Sequence, residues 1–332
     1  MESVFYQKLS IKEKRTYDSL VDGFSKMMPA IPIATTEKME GIVADIMHNH
    51  PELFYLNQKY MITGGALRGK ALQMRYQCNE RQRNRIWKQV EDEASRIVSQ
   101  VIRPRQSEYD KVLALHDFLK SNIRYNEKAL KNPQLWDAYT VVGALIDKNC
   151  VCQGFAAGMK LLCDLVNVVC FSVSGYGHNN LMDGPHAWNI VRINGFYYHV
   201  DVTWDNQFGS AIDVPNYTYL NLNDQMMAKD HEWDQLNYPP CFSTAYNYFV
   251  LNRALVESMS QLERLLIENI ENEEETIIFK VAENSALSVK MPDDLEKVLQ
   301  DAGKKSRYAS VNGCNYTYLI DQLVFLIRIT YL

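Results

Sequence analysis

Apolar positions recur along this chain at two spacings, helical and alternating, and the changes between them outline its elements. Over residues 1–60 the spacing is helical. Ser10 precedes a charged helix at Lys12–Phe24, and Thr36–His48 carries Met39, Ile42, Val43 and Ile46 three or four residues apart. The segment His50-Pro51-Glu52-Leu53-Phe54-Tyr55-Leu56 breaks that pattern. Ala71–Cys78 alternates as a strand, with Leu72, Met74 and Tyr76 on one face. Glu80–Val101 returns to helical spacing, its stripe made of Ile86, Trp87, Val90, Ala94 and Ile97, and Pro104 ends it. Ser107 and Asp110 have the spacing of a capping box, and Tyr109, Val112, Leu113, His116, Leu119 and Ile123 then form the next stripe. A histidine on such a stripe reads first as a hydrogen-bonded core residue.

The middle of the chain carries the densest pattern. Ala138–Ile146 leads into Lys148-Asn149-Cys150-Val151-Cys152-Gln153-Gly154. Cys152–Val166 is helical, with Phe155, Met159, Leu162, Cys163 and Val166 on one side. Val168–Ser174 reads as a strand and Gly175–Pro185 as a polar, glycine-rich loop. Two alternating runs follow, His186–Ile193 and Phe196–Trp204, around Asn194-Gly195, the dipeptide of a type I′ hairpin turn. That register sets Ile193 opposite Phe196, Trp188 opposite Asp201 and His186 opposite Thr203. His186, Trp188, Ile190, His199, Asp201 and Thr203 then share one face, with Ala187, Val191, Ile193, Phe196, Tyr198, Val200 and Val202 on the other. His186 and Asp201 become diagonal neighbours, roughly 7–8 Å apart at the backbone. Beyond the hairpin, Tyr217–Leu222 predicts a strand, Arg253–Ile270 an amphipathic helix and Glu271–Glu275 a solvated linker. Strand Thr276–Val281, helix Asp293–Ala302 and strands within Cys314–Tyr331 complete a small α/β appendage.

Composition narrows the class. The 332 residues are 47% hydrophobic and 23% charged, with a net charge of −5, so neither a nucleic-acid groove nor an anionic membrane surface is favoured as a partner. Apolar runs such as Leu165–Val173 are too short to span a bilayer. The charged N-terminal stretch has no apolar run of a signal peptide. Seven cysteines, at 78, 150, 152, 163, 170, 241 and 314, are an odd set spread over a long chain. They argue for a reducing compartment, with cytoplasm the expected location.

The chemistry begins at Cys152, where a loop becomes a helix start. Orphan amides and the positive end of the helix dipole acidify thiols so placed, toward about 3.5–7.5 when an imidazolium also pairs with them. Such a thiolate attacks carbonyls, and a backbone N–H of the same turn can hold the resulting oxyanion. His186 would serve as base and then acid, and Asp201 would orient its ring. The alternative is a buried structural thiol, since free cysteine is often fully buried. Gln153 and Tyr139 are candidate oxyanion or cleft residues, and Trp188 could shield the His–Asp pair. His199 on the same face reads as packed or hydrogen-bonded near Asp201, His178 as a loop residue and His231-Glu232 as a structural cap. Cys150-Val151-Cys152 lacks a second Cys/His pair at ligand spacing, so no metal or other cofactor is expected.

The order CVCQGFA, HAWN and DVTW resembles the transglutaminase-like superfamily, and most closely its bacterial members. The resemblance extends to Tyr109–Tyr125, Asn189–Asp205 and Tyr219–Trp233, and covers roughly residues 105–250. It implies an α+β, papain-like core in which a helix carrying the nucleophile packs on an antiparallel sheet bearing His and then Asp. Position by position, these are Cys152, His186 and Asp201. The chain departs from the pattern at Cys150, where Gly is usual, at Phe155, where Tyr is usual, and at Asn126, often Asp. The implied division is a mainly helical region at 1–104, the catalytic core at 105–252, and a helix with a small α/β appendage at 253–332. The activity implied is a cysteine-nucleophile amide hydrolase of peptidase or amidase type, acting on a protein or peptide through a thioester. The alternatives are a protein-glutamine transamidase and a non-catalytic peptide- or glycan-binding module. Oligomeric state is left open.

Overall fold

The structure, a computed structural model, describes every residue except 1, 66–68, 133, 179–182, 211–215, 289–290, 292, 307–310, 320–322 and 332, and the side chains of 58 and 207–210. The chain divides into two compact units, one formed by Met1–Asn206 with Leu222–Ser243 and the other by Gln207–Asn221 with Thr244–Leu332.

In the first unit a short helix, Val4–Gln7, precedes helix Ile11–Ser25, whose start is a capping box between Ser10 and Glu13. The expectation of a helical segment through residue 60 fails here. Strand Ala30–Ile33 and strand Leu56–Gly65 flank Gly69–Tyr76 in a three-stranded antiparallel sheet. In Ala30-Ile31-Pro32-Ile33 the two isoleucines are buried and Pro32 is exposed. Four alternating residues are too few to outweigh the helical spacing on either side. Pro32, which donates no hydrogen bond, is accommodated because the strand lies at the sheet edge. Helix Met39–Asn49 lies between these strands in sequence.

Two helices follow, Glu80–Val101 and Glu108–Asn122, each begun by a capping box, from Asn79 and Ser107. Helix Cys152–Leu165 then packs on an antiparallel sheet in which His231–Trp233, Cys170–His178, Asp183–Ile193 and Phe196–Val200 are successive neighbours. Asn189 ties the layers together, its Nδ2 donating to the Ala156 carbonyl at 3.0 Å. Both faces of the central strand are buried from His186 to Val191.

Two expectations for this sheet are corrected. The glycine-rich segment starting at Gly175 is not a loop: the strands pair as far as His178 and Asp183, and residues 179–182 lie outside the described set. The glycines serve packing. A Cβ on Gly175 would meet the Glu232 carbonyl oxygen at 2.1 Å and Trp188 Cη2 at 2.6 Å, and one on Gly177 would meet Trp204 Cζ2 at 2.8 Å. The hairpin turn stands as expected, with Ile193 opposite Phe196 and positive φ at Asn194 (48°) and Gly195 (86°). However, its second strand ends at Val200 instead of Trp204, and Val202–Ser210 is a helix. The pairings of Trp188 with Asp201 and of His186 with Thr203 therefore do not form.

The second unit holds a four-stranded sheet in the order Leu255–Val256, Thr276–Val281, Val324–Tyr331, Val311–Leu319. Helices Met259–Glu271 and Leu295–Lys305 cover a core that includes Leu262, Leu266, Leu295 and the stacked pair Phe279–Phe325. The helix expected over Arg253–Ile270 starts only at Met259, because Ser258 caps it and Leu255–Val256 is taken up by the sheet. Among the described residues no helix is long and apolar enough to cross a membrane.

Candidate active site

Cys152 is the first residue of its helix and half-buried. The residue before it, Val151, has extended backbone and no side-chain oxygen to cap the helix. The first-turn amides are thus left without a side-chain acceptor. Gly154 is required at this turn, since a Cβ there would lie 2.6 Å from Cys150 Cβ and 2.7 Å from the Ala138 carbonyl oxygen. Cys150 is fully buried, and burial holds its thiol well above the usual range. The second thiol of the Cys-Val-Cys run is therefore a packing group.

His186 and Asp201 have no exposed side-chain surface. His186 Nε2 donates to Asp201 Oδ2 at 2.6 Å. The pair forms by a route different from the expected one. Where the hairpin's second strand stops, Asp201 Oδ1 accepts from the amides of Thr203 (2.9 Å) and Trp204 (3.1 Å), starting the next helix. One carboxylate therefore caps a helix with one oxygen and holds a histidine with the other. His186 Nδ1 is buried with no hydrogen-bond partner. With Nε2 occupied, Nδ1 is the nitrogen left for the Cys152 thiol, which lies close enough to favour the charged ring. Burial disfavours the charged imidazole, but Asp201 and Cys152 outweigh it and raise His186 to about 10. Burial likewise opposes ionisation of Asp201, and His186 and His231 outweigh it, holding the carboxyl below its usual range.

His231 is the participant that the sequence reading took for a structural cap. Its Nε2 lies 3.2 Å from the same Asp201 Oδ2, and its Nδ1 lies 2.6 Å from Asp230 Oδ1. The ring packs 4.1 Å from Trp204 and 4.9 Å from Trp188, centroid to centroid. Only the pairing of His231–Trp233 with Cys170–His178 brings it here. Nothing in its local sequence pattern signals that contact.

The remaining candidates separate clearly. Trp188 is 1% exposed and stacks on His186 at 5.9 Å and 23°, a buried neighbour of the His–Asp pair. Gln153 and Tyr139 line a cavity of about 490 Å³. Gln153 Nε2 is 3.2 Å from His48 Nε2, and desolvation pushes His48 down to about 4. Tyr125, not singled out from sequence, is half-buried and close enough to Cys152 to feel its charge. His116 is a core residue, bonded through Nε2 to Asp205 Oδ2 at 2.9 Å. His178 is 43% exposed and lies by Asp183 and Glu232. His199 is bonded to Trp188 and Asp224 instead of standing near Asp201: it accepts from Trp188 Nε1 at 3.0 Å and lies 2.9 Å from Asp224 Oδ1.

Among the described residues, two groups bring three metal-ligating atoms within 4.8 Å of one another: His186, Asp201, His231 and His199, Asp224, Cys241. In the second, the Trp188 indole occupies His199 Nδ1, so Nε2 carries the proton that Asp224 accepts. That tautomer leaves no lone pair for a metal.

A helix with a thiol at its start, packed on an antiparallel sheet that presents a buried His–Asp pair, defines a papain-like α+β core. Residues 95–202 match the model of the transglutaminase-like superfamily. Two curated relatives are the kyphoscoliosis peptidases of Mus musculus, 24% identical over 162 residues, and of Homo sapiens, 24% identical over 155. These matches cover 45% and 43% of this chain and 24% and 23% of the relatives, so the chain spans about a quarter of their length. A solved structure described as "Crystal structure of a TGase" is similar over 44% of each chain, at 11% identity and a TM-score of 0.32.

Proposed function

We propose that the protein is a cysteine-nucleophile amide hydrolase in which Cys152, His186 and Asp201 form a catalytic triad. The observation that carries this reading is the 2.6 Å bond from His186 Nε2 to a buried Asp201, which leaves Nδ1 for a thiol at a helix start. The Cys152 sulfur attacks the amide carbonyl, and the uncapped amides of the first helical turn stabilise the oxyanion. As the C–N bond breaks, His186 gives its proton to the leaving amine, and a thioester remains on Cys152. His186 then takes a proton from water, the hydroxide adds to the thioester, and the carboxylic acid departs as the thiol is regenerated. Asp201 keeps the tautomer and stabilises the imidazolium throughout. Assignment to hydrolysis is supported by the word peptidase in the names of the curated relatives.

Mass-spectrometric labelling by iodoacetamide across pH tests the activated thiol. Cys152 should react near pH 6 at least ten times faster than an ordinary thiol, and His186→Ala should remove that advantage. Equal rates would dismiss the triad. Offering a fluorescent amine together with a glutamine-containing protein then sorts the acceptor. Peptide or ammonia release without amine incorporation is expected, and efficient incorporation would reassign the protein as a transamidase.

A further inference from the structure

Next to the nucleophile lies a cavity that the reaction as written does not use. Its volume of about 490 Å³ falls within the roughly 300–1,000 Å³ of small-ligand sites. The wall on the nucleophile's helix is Gln153, Ala156 and Ala157, starting one residue beyond Cys152. Met47, Leu53, Phe54, Leu56 and Gln77 line the cavity from earlier in the chain, with Trp136, Tyr139 and Ser172 among the remaining lining residues. The lining residues from Met47 to Gln77 lie outside the stretch matched to the family, residues 95–202.

We infer that this cavity is the acyl-side substrate subsite, and that it takes a bulky apolar side chain, aromatic or branched aliphatic, next to the scissile carbonyl. The inference rests on the triad reading above. Three observations carry it. First, the lining includes the apolar side chains Leu53, Phe54, Leu56 and Trp136, and Phe54 and Trp136 stack nearly parallel with their centroids 6.4 Å apart. Second, no lining residue is acidic, and the lysines there, Lys59 and Lys131, are exposed at the rim. A cationic side chain would find no counter-charge inside. Gln153 and His48 satisfy each other at 3.2 Å, which leaves the interior without an unpaired ion. Third, the lining includes no residue of Asp183–Ile193 or Phe196–Val200. The leaving amine must face His186 to receive its proton, so the acyl portion extends away from those strands, toward the wall that begins at Gln153, the residue after Cys152.

The intact 332-residue chain should be titrated with peptidyl acyloxymethyl ketones carrying Phe, Leu, Gly or Lys beside the reactive carbonyl. Iodoacetamide serves as the side-chain-free reference, and Cys152→Ala identifies the labelled site. The Phe and Leu probes should label Cys152 at least tenfold faster than the Gly probe, with Lys slowest. Ala157→Phe, which fills the cavity, should bring the Phe/Gly ratio near one. Trp136→Ala, which removes wall instead of adding bulk, should lower the same ratio without any overpacking. Equal Phe and Gly rates in wild type, alongside fast iodoacetamide labelling, would overturn the subsite and leave the triad standing. Slow iodoacetamide labelling would remove the triad, and the subsite with it.

Discussion

Among the described residues two buried His–Asp pairs stand near a cysteine, and both histidines sit on one hairpin. His186 pairs with Asp201 beside Cys152, while His199 pairs with Asp224 beside Cys241. Both imidazoles are buried, and the bonds are 2.6 and 2.9 Å. What differs is the third partner of each histidine. Nδ1 of His186 is left for a thiol, whereas Nδ1 of His199 accepts from the Trp188 indole. Their charge preferences diverge accordingly. Burial of His199 is only partly offset by Asp224 and leaves it lowered, while Asp201 with Cys152 overcomes burial and raises His186. The cysteines diverge too. Cys241 is 1% exposed and its thiol is pushed up by burial, whereas Cys152 starts a helix and is half-buried. A His–Asp pair is thus not a site in itself. In the proposed mechanism an accessible thiol at an uncapped helix start makes one of the two reactive, while the Trp188 indole occupies the corresponding nitrogen of the other.

The largest effect that could break this comparison lies at the sulfurs. Cys152→Ala should abolish hydrolysis, because no thioester can form, while Cys241→Ala should leave the rate within about twofold, since loss of a buried side chain acts mainly on stability. A Cys241→Ala protein that folds, as judged by circular dichroism, yet is inactive would reverse the two assignments. At the next level, Asp201→Asn should cost about 10³–10⁴-fold in kcat/KM by presenting the wrong tautomer. His199→Ala should cost less than tenfold, and show instead as about 1–3 kcal/mol of stability because Trp188 Nε1 loses its acceptor and Asp224 its donor. Steady-state rates set against urea melts separate the two.

The pH dependence of stability sharpens the contrast further. Asp201 is depressed below its ordinary 3.8, so its contribution is present above that pH and lost as pH falls through the lowered value. His186 is raised from 6.5 to about 10, so its contribution is complete below 6.5 and lost as pH rises through about 10. The pair should therefore stabilise most between about pH 4 and 6.5. The gap in unfolding free energy between wild type and Asp201→Asn should be wider at pH 5.5 than at pH 10, and a constant gap would count against the pair's charged state. The smallest effect belongs to the turn that joins the two histidine strands. Gly195 has φ of 86° and open space around its Cα, so Gly195→Val should cost only the backbone strain, about 1–2 kcal/mol, with the rate at saturating substrate little changed.

Much of this was legible in the residues because it depends on local rules. The capping boxes at Ser10 and Ser107, helix Glu80–Val101 and the Asn194-Gly195 turn are written in spacings of three or four residues or of two. The same holds for Cys152 at a helix start. The end of the second hairpin strand was misread because Val200, Val202 and Trp204 continue the alternation. That pattern is indifferent to Asp201 turning its oxygen onto the amides of Thr203 and Trp204. Strand Ala30–Ile33 was missed because its partners lie 40 residues on.

The sequence by itself determined which groups could react: a thiol where amides are unsatisfied, and an imidazole and a carboxylate 15 residues apart across one turn. Those follow from covalent order and from propensities that act within a few residues. Only the tertiary structure decided which histidine meets a thiol and which meets an indole. It also decided that His231 closes on Asp201 from 30 residues away, and that Met47, Phe54 and Gln153 line one cavity. Those contacts depend on sheet pairing and helix packing between distant segments, and side-chain alternation within a segment carries no record of its distant neighbours.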